Sequence, residues 1–419
     1  MSLFPSTLFL GFNLFSISVL ATYLVRHHLF TFYGLIQHFR KPRETLALLK
    51  PTVTVIVPAH NEENVIGDLL RRLKKLSYPS HYDVLVVDDS STDRTGPIAD
   101  KIARRSRYPI VHVLHRKNGC NGKPSALNEA LKSAQGEVLV FFDADYKPDR
   151  DIIERLLHGF NGSKVAAVQG YIDVENHKSS WITKIVRLER LAGYRVSQFS
   201  KDGLGLVPQL GGTVMAIRRD ALISAGGFNA GALAEDTDLT VRFALHGWKI
   251  GYELMARSTE EAVDTVKAYF RQRSRWAHGH MQCARRYSWK VLRCASLSRK
   301  EKVDLFLCLG TYFLPVLVGF GWIVSAAMLL LGYQLPLWNL GLCTLNVFGA
   351  VGNFAPVTEV ILGAALEHSK KALLWLPLLP LAYVLNVIIC AKALFDLIMR
   401  KQCRWSHTKH NGHIQERIH

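Results

Sequence analysis

The chain has 419 residues, 49% of them hydrophobic, and a formal net charge of +18. This length accommodates one large or two medium domains together with membrane helices. Neither a zinc-finger spacing nor an aromatic–basic repeat accompanies the positive charge, so a nucleic-acid partner is not expected. The seven cysteines include no C-x-x-C pair, which argues against a disulfide framework or a zinc site and favours a reducing, cytosolic compartment.

Apolar residues are concentrated at the two ends of the chain. Leu8–Val25 is nearly free of charge and has neither a basic start nor a small-residue cleavage site, which predicts a retained membrane anchor. Three later segments predict a C-terminal membrane region: Leu305–Leu331, Leu335–Leu366 and Leu373–Met399. The middle segment is interrupted at Asn353 and Pro356, so it is either a broken, re-entrant segment or a kinked helix with Glu359 near the interface.

Basic residues gather beside the apolar segments, at 40–43, 285–302 and 400–409. The positive-inside rule then predicts a multi-pass protein of the cell membrane, with its central domain in the cytosol and its basic stretches attracted to membrane lipids. The predicted organisation is an anchor (1–40), an α/β domain (41–284), an amphipathic interfacial helix (285–304), a membrane region (305–399) and a basic tail (400–419).

Strand-like and helix-like segments alternate through the central region. The predicted strands are Thr52–Val57, Val84–Val87, Ile110–Leu114, Glu137–Phe142, Val165–Val174 and Gln209–Ile217. The predicted helices are Glu62–Leu76, Gly96–Ser106, Ser125–Ala134, Trp181–Phe199, Glu235–His246 and Glu260–Tyr287. This alternation predicts an α/β domain with a mainly parallel sheet, which binds ligands at the carboxyl ends of its strands.

Acidic pairs follow two of the predicted strands. Asp88 and Asp89 end one strand, where their carboxylates can accept hydrogen bonds from a nucleoside. The alternative is capping of the next helix, a role that suits Asp93 better. Asp143 and Asp145 end another strand, and hard cations such as Mg²⁺ or Mn²⁺ prefer such oxygen ligands, with phosphates completing the coordination shell.

Three further residues suit the binding of a phosphate or the deprotonation of a hydroxyl. Lys123 lies at the start of a predicted helix, where it can meet a phosphate, although in isolation it would be a surface lysine. Glu235 and Asp236 open another predicted helix after a glycine-rich stretch. One such carboxylate can act as the general base that deprotonates a hydroxyl, whereas the alternative role is a favourable interaction with the helix dipole.

A motif of the form Q-x-x-R-W precedes the C-terminal apolar block. Arginine offers a bidentate fork to phosphate, and tryptophan offers a flat face to a sugar ring. His278 and His280 follow the motif, and without other ligands at suitable spacing they are predicted to be polar helix residues rather than a metal site. The residues predicted to bind a diphosphate and an acceptor are Gln272, Arg273, Arg275 and Trp276.

The order of these clusters resembles that of the membrane-integrated processive family 2 glycosyltransferases, which include cellulose, poly-N-acetylglucosamine, chitin-oligosaccharide and hyaluronan synthases. The resemblance covers about Thr52–Gln282 and departs at Ala234, where threonine usually precedes the Glu-Asp pair. It implies a cytosolic GT-A (Rossmann-like) domain inserted between transmembrane helices, a nucleotide-sugar donor that is usually UDP-linked, a Mg²⁺ or Mn²⁺ cofactor, and an inverting mechanism that forms β-linkages.

The resemblance also predicts roles and a product. It implies nucleotide contact for Asp88 or Asp89, donor and metal binding for Asp143 and Asp145, a general base at Asp236, and diphosphate and acceptor binding for Gln272, Arg275 and Trp276. The predicted product is a growing polysaccharide whose synthesis is coupled to translocation. A glycolipid synthase that adds sugar to diacylglycerol or ceramide is the first alternative, and a non-catalytic transport or scaffold protein is the second.

Overall fold

A computed structural model describes residues 4–38, 50–117, 122–331, 357–401 and 412. The described residues include an α/β domain built on an eight-stranded sheet. Its strands are β1 (Val53–Ala59), β2 (Tyr82–Asp89), β3 (Val111–Arg116), β4 (Val138–Phe141), β5 (Lys147–Pro148), β6 (Val165–Val174), β7 (Met215–Arg218) and β8 (Lys249–Glu260). Their order across the sheet is β3-β2-β1-β4-β7-β6-β8-β5.

Helices flank the sheet and extend beyond it. Those of the α/β domain are α2 (Ile66–Leu73), α3 (Thr95–Arg104), α4 (Gly122–Ser133), α5 (Ile152–His158), α6 (Trp181–Arg190), α7 (Phe199–Gly203), α8 (Arg219–Ser224), α9 (Glu235–Leu245) and α10 (Val266–Arg293). Those before and after it are α1 (Phe4–His38), α11 (Arg299–Gly310), α12 (Leu314–Leu330), α13 (Val357–Leu366) and α14 (Leu379–Ile398), with 3₁₀ turns at Thr311–Phe313 and Lys370–Leu378.

The first half of the sheet is parallel, as the sequence predicts. β1 pairs in parallel with β2 and with β4, and β2 pairs in parallel with β3. Val55 and Val57 of β1 pack into one apolar cluster and Ile56 packs into another, and all three are fully buried. A strand buried on both faces is a continuous apolar run in sequence, which is why these strands could be predicted.

The second half of the sheet is mixed, but the sheet as a whole is mainly parallel as predicted, because four of the seven pairings between the described strands are parallel. β7 runs antiparallel to both β4 and β6, whereas β6 and β8 are parallel. β8 forms where no element was predicted. The strand predicted at Gln209–Ile217 is confined to Met215–Arg218, because Gly212 and Val214 have φ angles of +77° and +49°, outside the extended region.

The helix predicted at Trp181–Phe199 changes its pitch partway. α6 continues into a π-helical segment at Leu191–Gln198 before α7 begins. Such segments are wider than an α-helix and occur frequently at functional sites. Here the segment contributes Tyr194 and Gln198 to the cavity described below.

Two helical stretches of the described residues are long and apolar enough to cross a membrane, judged by length and composition: Arg299–Ala327 and Lys370–Ile398. They overlap the first and third predicted C-terminal segments. Residues 285–304 do not form the single interfacial helix that was predicted, because α10 ends at Arg293 and a capping box between Ser298 and Glu301 starts α11.

The helices outside the α/β domain pack against its π-helical segment. Glu359 of α13 is fully buried, accepts a hydrogen bond from the Ser197 hydroxyl at 2.8 Å, and pairs with His27 of α1 at 3.0 Å. It therefore joins α1 and α13 to the α/β domain. The predicted interruption at Asn353 and Pro356 lies outside the described residues.

Candidate active site

A cavity of about 340 Å³ lies at the carboxyl ends of the parallel strands. At one end its wall includes Ala59, which ends β1, and Asp89, which ends β2. At the other end the wall includes His27 of α1 and Cys308 of α11. The cavity therefore connects the ligand-binding edge of the sheet with helices that precede and follow the α/β domain.

Most of the predicted site residues line this cavity. They are Asp89, Lys123, Asp143, Asp145, Glu235, Asp236, Gln272, Arg275 and Trp276. Asp88 and Arg273 are not part of its wall. Side chains that are separated by nearly two hundred positions in sequence thus converge on one space, as an enzymatic role requires.

Asp88 and Asp89 end β2 but have different partners. The Asp89 carboxylate lies 2.5 Å from Arg116 Nη1; burial raises the pKa of Asp89, and Arg116 opposes that shift. The Asp88 carboxylate pairs with His115 at 2.9 Å and accepts the Ser91 backbone N–H at 3.2 Å. Asp88 therefore stabilises the turn after β2, and Asp89 is the member of the pair that lines the cavity.

Lys123 joins two of the acidic clusters. Its Nζ lies 2.6 Å from Asp143 and 3.8 Å from Glu235, and it donates to the Gly212 carbonyl at 3.0 Å. Burial acts to lower the pKa of Lys123, but the two carboxylates outweigh burial and raise it. A charged ammonium therefore lies between the Asp-Ala-Asp motif and the Glu-Asp pair, where it can meet a phosphate.

Asp143 and Asp145 provide two carboxylates for a divalent ion, and they do not complete its coordination shell by themselves. The Asp143 side chain is 34% exposed, whereas Asp145 is buried and accepts the Glu261 backbone N–H at 3.3 Å. Among the residues that the structure describes, no group of three His, Cys, Asp or Glu could hold a metal. Because Mg²⁺ is usually held by one or two carboxylates plus substrate phosphates, the pair fits an ion that binds together with a diphosphate.

Glu235 and Asp236 form the first turn of α9, at the positive end of the helix dipole. The Thr237 backbone N–H donates to Asp236 Oδ1 at 2.6 Å. Burial and the neighbouring Glu235 nevertheless raise the pKa of Asp236 to about 7. A carboxylate with this pKa is suited to accept a proton from a hydroxyl near neutral pH.

Close packing between α10 and the loop before Glu235 and Asp236 fixes the position of that loop. A Cβ at Gly279 of α10 would lie 2.8 Å from both the nitrogen and the Cβ of Ala234. Glycine at 279 therefore lets α10 approach the residue that precedes Glu235. The same helix presents the Q-x-x-R-W motif, so its position relative to the acidic pair is set by this contact.

The residues of the Q-x-x-R-W motif lie in two different environments. Gln272, Arg275 and Trp276 line the cavity. Arg273 is buried, forms an ion pair with Glu189, and lies 4.3 Å from the centre of the Trp276 ring. This placement differs from the predicted contact with a diphosphate, because Arg273 orients Trp276 from behind and does not reach the cavity.

Several residues of the cavity were missed or misinterpreted from the sequence. Arg190 makes two hydrogen bonds of 2.6 and 3.0 Å to Glu260, and its guanidinium lies 6.0 Å from the centre of the Trp276 ring. His280, predicted to be an ordinary polar helix residue, lines the cavity and stacks on Tyr312. Its spacing of four residues from Trp276, which places both on one helix face, was the available signal.

Comparisons with known proteins identify the family to which the chain belongs. A model described as glycosyltransferase-like family 2 matches residues 51–279. The chain is 31% identical over 374 residues to the probable glycosyltransferase YdaM of Bacillus subtilis (strain 168), covering 86% of this chain and 87% of that protein. It is 32% identical over 400 residues to a beta-monoglucosyldiacylglycerol synthase of Nostoc sp. (strain PCC 7120), covering 94% of this chain and 83% of that protein.

The fold also has a counterpart among solved structures. The mannosyltransferase PcManGT from Pyrobaculum calidifontis, in complex with GDP-Man and Mn²⁺, gives a TM-score of 0.66 at 21% identity and covers 93% of this chain and 100% of that chain. This likeness concerns the fold alone and confirms the GT-A-like α/β architecture. From the family match and the identity over most of both sequences, we conclude that the chain belongs to glycosyltransferase family 2 and is an enzyme of that family.

Proposed function

We propose that this protein is an inverting membrane glycosyltransferase that transfers a sugar from a nucleotide sugar to a hydroxyl of a lipid acceptor. One observation carries the proposal: a single cavity reaches from Asp89 and Asp143 at the sheet edge to helices α1 and α11. α11 begins one of the two candidate membrane spans among the described residues. A water-soluble donor and a membrane-bound acceptor can therefore meet at Asp236, which lines the same cavity.

Side-chain contacts trace the path from the acidic pair to the membrane-side helices. Thr237, which follows Asp236, accepts a hydrogen bond from Gln209 Nε2 at 2.8 Å. Gln209 Oε1 in turn accepts a hydrogen bond from the Cys308 thiol at 3.5 Å. Because Cys308 belongs to α11, this path of hydrogen bonds runs from the residue beside Asp236 to a candidate membrane span.

The donor is held at the edge of the sheet. Asp89, fixed by Arg116, accepts hydrogen bonds from the nucleoside, and Lys123 offsets the charge of the diphosphate. Asp143 and Asp145 would hold Mg²⁺ or Mn²⁺, which when bound stabilises the diphosphate as a leaving group. Each of these residues except Arg116 lines the cavity.

Asp236 acts as the general base of the transfer. It takes the proton of the acceptor hydroxyl while the hydroxyl oxygen attacks the anomeric carbon from the face opposite the diphosphate. The bond between the anomeric carbon and the diphosphate breaks, and its electron pair leaves with the diphosphate. The configuration at the anomeric carbon is inverted, and Trp276 offers its ring face to the sugar.

Similarity over nearly the whole chain supports a lipid acceptor. The beta-monoglucosyldiacylglycerol synthase from Nostoc aligns with 94% of this chain, so the helices outside the α/β domain are included in the match. Those helices form the membrane-side end of the cavity. The polysaccharide product predicted from the sequence motifs is the competing outcome of the experiment below.

The experiment measures where a transferred sugar is recovered. Protein purified in detergent is incubated with Mg²⁺ or Mn²⁺, a panel of radiolabelled UDP- and GDP-sugars, and 1,2-dioleoylglycerol. We expect label in the chloroform phase, with a mass increase of one sugar on the lipid, and none with Asp236→Asn. Label in aqueous or insoluble products of increasing mass would instead support the polysaccharide interpretation, and no transfer from any donor would contradict both.

We further infer that the protein is multi-pass, with its α/β domain on the cytosolic side. The two candidate spans and the basic stretches beside the apolar segments support this orientation. A C-terminal epitope tag should be digested by protease in inside-out vesicles and protected in intact cells. Digestion of the tag in intact cells would contradict the orientation.

A further inference from the structure

One turn of α10 beyond Trp276, the cavity wall is formed by two stacked rings. Trp276 and His280 are four residues apart and therefore share a face of the helix. The His280 ring lies 4.5 Å from the Tyr312 ring, with an angle of 30° between their planes. Tyr312 lies within the candidate span Arg299–Ala327, so this wall belongs to the membrane-side end of the cavity.

His280 is linked to the proposed general base through one residue. Its ring nitrogens lie 3.5 and 3.4 Å from the Thr237 hydroxyl oxygen, and the Thr237 backbone N–H donates to Asp236. The Thr237 oxygen already accepts a hydrogen bond from Gln209, so its own proton can be donated to the imidazole. When one ring nitrogen accepts that proton, the other carries an N–H that can donate to a ligand.

The charge of this region favours an uncharged ligand. Burial lowers the pKa of His280 to about 4, so its ring is neutral at physiological pH. Arg26 and Lys201 also line this end of the cavity. Arg26 lies 2.7 Å from the carboxylate of Asp304, and the fully buried carboxylate of Glu359 lies behind His27. The positive charges of Arg26 and Lys201 are thus balanced by the negative charges of Asp304 and Glu359.

We propose that His280 and Tyr312 form a subsite for the uncharged, hydroxyl-bearing head of the acceptor lipid, such as a glycerol backbone. His280 donates a hydrogen bond that aligns the acceptor hydroxyl with Asp236, and the Tyr312 ring supports the imidazole from the membrane side. This subsite rests on the proposed function, because it assumes an acceptor that arrives from the membrane.

The test compares two histidines of the same helix. His280→Ala removes the hydrogen bond, His280→Gln keeps a side chain that can donate and accept, and His278→Gln is the matched control. His278 is also buried on α10 but does not line the cavity. Each purified variant is titrated in detergent micelles with 1,2-dioleoylglycerol, using the sugar nucleotide that the unsubstituted protein accepts.

We expect His280→Ala to raise the KM for dioleoylglycerol about tenfold, the factor that corresponds to ~1.4 kcal/mol and to the upper range for one neutral hydrogen bond. The KM for the donor should not change. His280→Gln should recover most of the acceptor affinity, and His278→Gln should behave as the unsubstituted protein. Such a selective effect, with rescue by glutamine, would not follow from a loss of stability.

Three outcomes would overturn the subsite. They are an unchanged acceptor KM in His280→Ala, an equal effect of His278→Gln, and a preference of the unsubstituted protein for anionic phosphatidylglycerol over dioleoylglycerol. Failure of the unsubstituted protein to glycosylate any lipid would instead overturn the proposed function, and the subsite with it. The two failures are therefore distinguishable.

Discussion

Replacing Asp236 by asparagine removes the proposed general base with little change in shape. The amide oxygen can still accept the Thr237 N–H, which lies 2.6 Å from Oδ1, whereas the amide cannot take up a proton from the acceptor. We expect kcat to fall at least ~100-fold, the usual scale for loss of a general base. Donor affinity should change little, because Asp89 is held by Arg116 at the end of β2 and Lys123 keeps its closer ion pair with Asp143 at 2.6 Å.

The pH profile gives a second measure of the same group. Burial and Glu235 raise the pKa of Asp236 to about 7, and the base works only as the carboxylate, so kcat should rise with pH and level off above the pKa. A group with this pKa is about 9% ionised at pH 6 and about 91% ionised at pH 8, which predicts about a tenfold increase in kcat between them. The residual activity of Asp236→Asn should lack this increase.

The assay is transfer of radiolabelled sugar to lipid at saturating donor and acceptor, with calorimetric titration of the nucleoside diphosphate as the control for donor binding. Thermal unfolding checks the fold. Asp236→Asn should be at least as stable as the unsubstituted protein above pH 7, because a carboxylate whose pKa is raised by burial destabilises the folded state when it ionises. A kcat within about threefold of normal, with the same pH profile, would refute the assignment of the base.

Three further substitutions test neighbouring parts of the site. Glu235→Gln should move the rise in kcat to lower pH, because the negative charge of Glu235 contributes to the raised pKa of Asp236; a pH–rate profile with an unchanged midpoint would contradict this. Asp145→Ala should raise the metal concentration needed for half-maximal donor binding about tenfold or more, and an identical metal titration would exclude a role in metal binding. Gly279→Ala should destabilise the protein by ~1–3 kcal/mol in denaturant unfolding, because its Cβ would lie 2.8 Å from the loop before the acidic pair. Gly193→Ala, whose Cβ would meet nothing within 4 Å, is the matched control, and equal losses would show that the contact is unimportant.

The sequence predicted those parts of the site that lie at the ends of buried strands. β2 is buried along most of its length, and its apolar run stops at Asp88 and Asp89. β4 is likewise fully buried, and Asp143 follows two residues after it ends. Because a strand buried on both faces must be apolar until it leaves the sheet, the first charged residues in the sequence locate its carboxyl end.

Orientation within a motif could not be predicted in the same way. Arg273 and Arg275 belong to one motif, yet Arg273 pairs with Glu189 in the interior while Arg275 lines the cavity. Residues two apart on an α-helix point about 200° apart, onto nearly opposite faces, so Arg273 and Arg275 must differ in their surroundings. Which of them reaches the ligand depends on the elements packed around α10, including the π-helical segment, and no local pattern encodes those contacts.

Contacts of the C-terminal tail bear on the number of membrane crossings. The Gly412 backbone N–H donates to Glu261 at 3.1 Å, and a Cβ at Gly412 would lie 2.7 Å from the carbonyl oxygen of Asn64. Both partners belong to the α/β domain, so Gly412 lies against that domain, which agrees with the proposed topology in which the C-terminus is on the cytosolic side. In the proposed topology, crossings at Arg299–Ala327 and Lys370–Ile398 would return the chain to that side, whereas a third full crossing between them would leave Gly412 on the opposite side. We therefore propose two C-terminal crossings, which also place the basic residues at 400–409 on the cytosolic side, as the positive-inside rule predicts.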